Sequence, residues 1–215
     1  MRESARTIVL FRTTSQILLA WLFFGIAGIA NVQANSIAGS PHDLSMNGEG
    51  ICVYCHTPMS ASLDGSAPLW NRKTSSKTLS MYSSSTLDMT IESAPGGVSL
   101  MCLSCHDGSM AYDSLINNPG VANNGVMTGT SVIGADGLAN DHPISIEYDP
   151  SKDPNFAPVT NGRVGGLPLF VKDGQTGPAT QVECSTCHDV HDPGNGNFLR
   201  MSNAGSSLCL TCHAL

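Results

Sequence analysis

The chain is poor in the material of an ordinary globular core. Aromatic residues make up 6% of its 215 positions, and only two are Trp. Glycine and proline together fill 34 positions (22 and 12), and Ser and Asn crowd the loops between them. Such a composition struggles to bury enough apolar surface to offset chain entropy. Something other than side chains must fill the middle. Basic residues are also scarce, with 10 Lys+Arg against 17 Asp+Glu and a net charge of −7. That scarcity excludes nucleic acid as a partner, since phosphate binding needs a basic surface. The acidic excess serves mainly solubility, though it would also suit a basic partner protein.

Long apolar runs are absent except at one place. Ile17 to Ala30 is uninterrupted for 14 residues, follows Arg2, Arg6 and Arg12, and is followed by Val32-Gln33-Ala34. A basic region, a short apolar run and small residues at a cleavage position form the layout of a secretory signal peptide. The run is short for a membrane span. The expectation is therefore a signal over 1–34 and a mature chain over 35–215 with no membrane span. Three arginines and Glu3 leave with the signal, so the mature balance is 7 Lys+Arg against 16 Asp+Glu, or −9.

What is present is cysteine, eight times and always in one pattern. The motifs are Cys52-Val53-Tyr54-Cys55-His56, Cys102-Leu103-Ser104-Cys105-His106, Cys184-Ser185-Thr186-Cys187-His188 and Cys209-Leu210-Thr211-Cys212-His213. C-x-x-C-H is the attachment signature of c-type haem. Two thiols one helical turn apart can add to the two vinyl groups, and the adjacent imidazole then meets the iron from the proximal side. Zinc ribbons use paired C-x-x-C but require no histidine after each pair. A disulfide framework does not predict a histidine at one offset four times. Four haem c groups are expected, with His56, His106, His188 and His213 as proximal ligands and no cysteine left over.

The fold expected from this is mostly irregular, with short α-helices and one small β-hairpin, compact around a haem-dominated core. The motifs start 50, 82 and 25 residues apart. Short helices should carry each one, and Ser206 or Ser207 should cap the last. Between motifs two and three lie turn signals at Asn117-Asn118-Pro119-Gly120, Asn123-Asn124-Gly125 and Asp136-Gly137. A hairpin is expected from Leu167–Val171 and Thr180–Glu183 around Asp173-Gly174, with Pro168 on an edge strand.

The sixth iron ligands are one histidine short. Of seven histidines, four are proximal, leaving His42, His142 and His191 as distal candidates. The fourth haem takes a methionine or stays open. Met59 is the first methionine to consider, because it follows His56 by three residues as His191 follows His188. Neither can reach the far face of its own motif's haem, but each could ligate a neighbour's. The plain alternative for Met59 is a soft filler against a porphyrin edge. Met46, Met101, Met110 and Met201 are lesser candidates.

These segments together carry a resemblance. His42-Asp43-Leu44-Ser45, the first motif with Thr57-Pro58, Pro68-Leu69-Trp70-Asn71, the second motif with Asp107-Gly108, Asp141-His142-Pro143-Ile144, and Cys184 to His191 with Phe198-Leu199-Arg200 resemble bacterial multihaem proteins of the cytochrome c3-like, doubled C-x-x-C-H group. The resemblance covers nearly all of the mature chain. It implies low-potential electron transfer in the periplasm or at the cell surface, redox proteins as partners, and distal roles for His42, His142 and His191. The first motif in that group commonly continues C-H-T-P-H; here Met59 stands at the last position. Thioether ligation there would raise that haem's potential relative to the others. Some relatives polymerise into extracellular filaments through an axial histidine that crosses to the next subunit. His42, eight residues into the mature chain, would be the equivalent arm of a homo-polymer; ligation within the chain is the alternative.

Two functions follow. One is an electron carrier, not an enzyme, with every iron six-coordinate. The other is a small multihaem reductase with one open iron acting on a small oxyanion. No C-x-x-C-K motif and no cluster of Arg, Tyr and His around an open site favours the second.

Overall fold

Helix forms almost only where the cysteine motifs sit. The computed structural model describes residues 37–45, 50–59, 67–173 and 175–214. The expected signal segment, the Met46 candidate and the Gly174 turn residue lie outside them. Helix α1, Gly97–His106, carries the second motif; α2, Cys184–Cys187, carries the third; α3, Ser207–Cys212, carries the fourth after a 3-10 turn at Ala204–Ser206. The first motif is a single turn rather than a helix, closed by the His56 N–H donating to the Cys52 carbonyl at 2.8 Å. The same bond closes the third and fourth motifs, from His188 to Cys184 and from His213 to Cys209, each at 3.0 Å. One turn is all the chemistry requires.

The helix starts differ from expectation. Ser206 does not cap α3. It lies in the left-handed region at φ 62°, after Gly205 at φ 61°, and the 3-10 turn swings it away from the helix start. Asn203 Oδ1 accepts the Leu208 N–H at 3.2 Å instead. At α1 the Gly97 N–H donates to Asp173 Oδ2 at 2.5 Å, so a carboxylate 76 residues along sits where the helix dipole favours it.

Strands are two residues long: β1 Ile146–Glu147, β2 Arg163–Val164, β3 Leu167–Pro168 and β4 Gln181–Val182. β1 pairs antiparallel with β4, Ile146 opposite Val182; β2 pairs with β3, Val164 opposite Leu167. The expected hairpin is reduced to one bridge, Phe170 to Gln181, because β4 gives its ladder to β1 and Leu167–Pro168 folds back on Arg163–Val164. That tighter hairpin turns at Gly165-Gly166, both with positive φ (53° and 97°), the conformation a two-residue connection demands. The Asn118 turn appears as expected, its Oδ1 accepting from Gly120 and Val121 at 2.9 and 2.7 Å.

Among the described residues the apolar interior is split into three small clusters. Tyr54, Leu115 and Val121 gather beside the first motif. Leu79, Leu103 and Leu138 gather around α1. Met89, Ile146, Tyr148, Val164, Leu169 and Val182 form the largest, with Cys212 packed against it. The remaining interior is polar. Arg72, 2% exposed, donates to Ser104 Oγ, Ser104 O, Tyr112 O and Ala111 O at 2.9–3.2 Å, tying the strap after motif one to α1. Among the described residues no helix is long and apolar enough to cross a membrane.

Candidate haem-binding site

None of the eight cysteines is joined to another as a disulfide. Their neighbours link the motifs in sequence. Cys55 lies near Cys105, Cys102 lies near Cys184, and Cys187 lies near Cys209 and Cys212. Burial pushes the Cys55 and Cys212 thiols up to about 11. In the Cys102–Cys184 pair each thiol acts on the other, raising Cys102 and lowering Cys184. The cysteine motifs thus neighbour one another in sequence order.

Three of the four motif histidines are held by backbone carbonyls. His56 Nδ1 meets Pro68 O at 2.8 Å, His106 Nδ1 meets Ser131 O at 2.8 Å, and His188 Nδ1 meets Asn197 O at 2.9 Å. A carbonyl can only accept, so Nδ1 carries the proton and Nε2 keeps its lone pair. Such a partner fixes the ring of a metal-ligating histidine and raises its basicity. These straps escaped sequence reasoning. Pro68, which supplies one of them, and Phe198-Leu199-Arg200, which directly follows Asn197, stood out only as part of the resemblance.

The three remaining histidines each face one motif histidine. The ring centroids are 6.0 Å apart for His42 and His106, 6.2 Å for His191 and His56, and 6.4 Å for His142 and His213. Ring faces in direct contact would stand about 3.5–4 Å apart. With a metal–nitrogen bond of about 2 Å and each nitrogen about 1.2 Å from its ring centre, two imidazoles on one iron stand roughly 6.4 Å apart. The residues present therefore fit six-coordinate haem iron at three motifs. His142 Nδ1 is held by Pro143 O at 3.0 Å. His42 Nδ1 is buried without a partner, and its ring is fixed edge-on by Phe198 at 4.4 Å. Burial and the charges of His106, His191 and His188 lower its pKa, which favours the neutral, ligating form. His188 alone has no ring opposite it among the described residues. Met59 is 68% exposed. Among the described residues no three His, Cys, Asp or Glu side chains converge as a metal cage.

Residues 177–214, which hold motifs three and four, match the family described as doubled CXXCH motif. This match supports a multihaem c-type cytochrome with covalently bound haem c. No curated protein matches the chain.

Proposed function

We propose that the chain is an exported electron carrier holding four haem c groups, each attached through one C-x-x-C-H motif. The observation that carries this reading is the set of three histidine pairs at 6.0–6.4 Å, each joining one motif histidine to one that belongs to no motif. When bound, the haem irons cycle between ferric and ferrous and so hold the electrons in transit. The chain's own residues do the rest. Cys52 and Cys55, Cys102 and Cys105, Cys184 and Cys187, and Cys209 and Cys212 anchor the groups. His56, His106, His188 and His213 bind from one side. His106, His56 and His213 are met from the other side by His42, His191 and His142. The nearness of thiols in successive motifs supports a path along which electrons pass between neighbours.

The place of His42 beside His106 supports a role inside its own chain, so the reading favoured is a self-sufficient carrier. Electron microscopy of concentrated protein tests this: separate small particles are expected, and filaments would assign His42 to a neighbour. Export to the periplasm or cell surface rests on the signal-like N-terminus and on the class. A redox titration followed by absorption and EPR tests the carrier reading. Four one-electron steps with every ferric iron low-spin are expected. A high-spin iron that binds nitrite or another small oxyanion and turns it over would establish the reductase instead.

A further inference from the structure

The first and third motifs are built as copies of each other. Cys52, Cys55 and His56 correspond to Cys184, Cys187 and His188. The strap that follows also corresponds. Thr57 N–H donates to Leu69 O at 2.9 Å and Asp189 N–H to Phe198 O at 2.7 Å; Asn71 N–H donates to Cys55 O at 2.8 Å and Arg200 N–H to Cys187 O at 2.9 Å. His56 bridges to Trp70 and His188 to Leu199. Leu69 and Phe198 share the left-handed conformation, at φ 57° and 56°, which bulky residues adopt only where the surroundings enforce it.

The correspondence reaches the third residue past each histidine. Met59 N–H donates to Thr57 Oγ1 at 3.4 Å, and His191 N–H donates to Asp189 Oδ1 at 3.1 Å. Thr57 Oγ1 and Asn117 Nδ2 further pin the Met59 carbonyl. Its side chain, in contrast, is the most exposed large apolar one among the described residues. An anchored backbone presenting a free thioether is what a ligand position requires.

The pairing of the other histidines has the same two-fold logic. In the first half, His42 precedes the first motif and faces His106 of the second. In the second half, His142 precedes the third motif and faces His213 of the fourth. His191 crosses from the second half to His56 of the first. By the same symmetry a return crossing would start at Met59 and end at His188, the one motif histidine with no ring opposite among the described residues.

We propose that the chain is an internal repeat that exchanges ligands between its halves, and that Met59 binds the iron held by His188. The proposal rests on the haem-carrying reading above, and haem content is scored separately from ligation. A thioether in place of imidazole makes this haem the one of highest potential, so an electron shared among the four rests there.

The test uses the haem-loaded full chain, with intact mass confirming four haems in every variant. Wild type should show four low-spin ferric irons and the weak red-edge absorption band of thioether ligation. Met59→Ala should abolish the band and turn one iron in four high-spin and open to cyanide or imidazole. Met59→His should abolish the band, keep four low-spin irons and lower the highest midpoint potential toward the others. His191→Met, the mirror change, should double the band. A band that survives Met59→Ala, or a wild type with no band, overturns the ligation whether the fourth iron is open or bound by another group. An undoubled band in His191→Met overturns the exchange between halves.

Discussion

Glu183 is a carboxyl buried without a cation. It accepts hydrogen bonds from Ser99 Oγ and from Ser145 Oγ, the latter at 3.1 Å, and burial pushes its pKa from 4.5 up to about 7. The sign of its effect follows. Below about pH 4.5 both folded and unfolded chains hold the proton. Between about 4.5 and 7 the unfolded chain loses it first, so stability falls as pH rises, and above about 7 the loss is complete. The span corresponds to at most about 3 kcal/mol. Thermal unfolding of the haem-loaded chain should show a decline over this range that Glu183→Gln flattens. Arg72 is the opposite case, a buried cation satisfied by one hydroxyl and three carbonyls. Arg72→Lys cannot reproduce the fork and leaves buried carbonyls unpaired, at a cost of about 2–3 kcal/mol by chemical denaturation. The axial rings give a residue-level expectation as well. On the proposed ligation, His142 and His213, with planes 69° apart, should give a strongly axial low-spin EPR signal. His56 and His191, at 19°, should give a rhombic one. Identical signals from the two irons would contradict these ring orientations.

At the scale of elements, the chain's hinges are its turns. The Gly165-Gly166 connection is one. A Cβ at Gly165 would stand 2.5 Å from Thr211 Cγ2 in α3, at a φ of 53°. Gly165→Ala should cost about 1–3 kcal/mol in thermal unfolding and disturb the fourth motif first, whereas Gly166→Ala, with φ 97° but open space around it, carries only the conformational penalty. How much of this was legible varies by element. The motif turns were, since four histidines at one offset from paired cysteines leave few chemistries open. The hairpin at 167–183 was not, because a partner from residues 146–147 took the β4 ladder and sequence periodicity does not report long-range competition. The cap on α3 was missed because two left-handed residues moved the cap position back to Asn203. The carbonyl straps on His56, His106 and His188 were illegible for a simpler reason: a backbone acceptor carries no residue identity. The repeat between motifs one and three showed in the sequence only as the shared offset of Met59 and His191, since its copies share hydrogen bonds and dihedral angles while Thr57, Leu69 and Trp70 correspond to Asp189, Phe198 and Leu199.

For the whole molecule, three apolar clusters of three to six buried residues stand around the motifs instead of one continuous core. On the proposed reading, four porphyrins supply the missing apolar surface, and attachment is coupled to folding. The chain produced without haem should accordingly lack cooperative unfolding by circular dichroism. That three histidines lie outside the motifs was legible from sequence; which motif histidine each one faces was not, because that pairing is a property of the folded chain. The central claim is that all eight cysteines bind haem. Intact mass of the chain purified from a host that matures c-type cytochromes, with thiols titrated under denaturation, addresses it most directly. The account predicts four haems per chain and no free thiol. A mass short of four haems, with the remaining cysteines free or joined as disulfides, would contradict it.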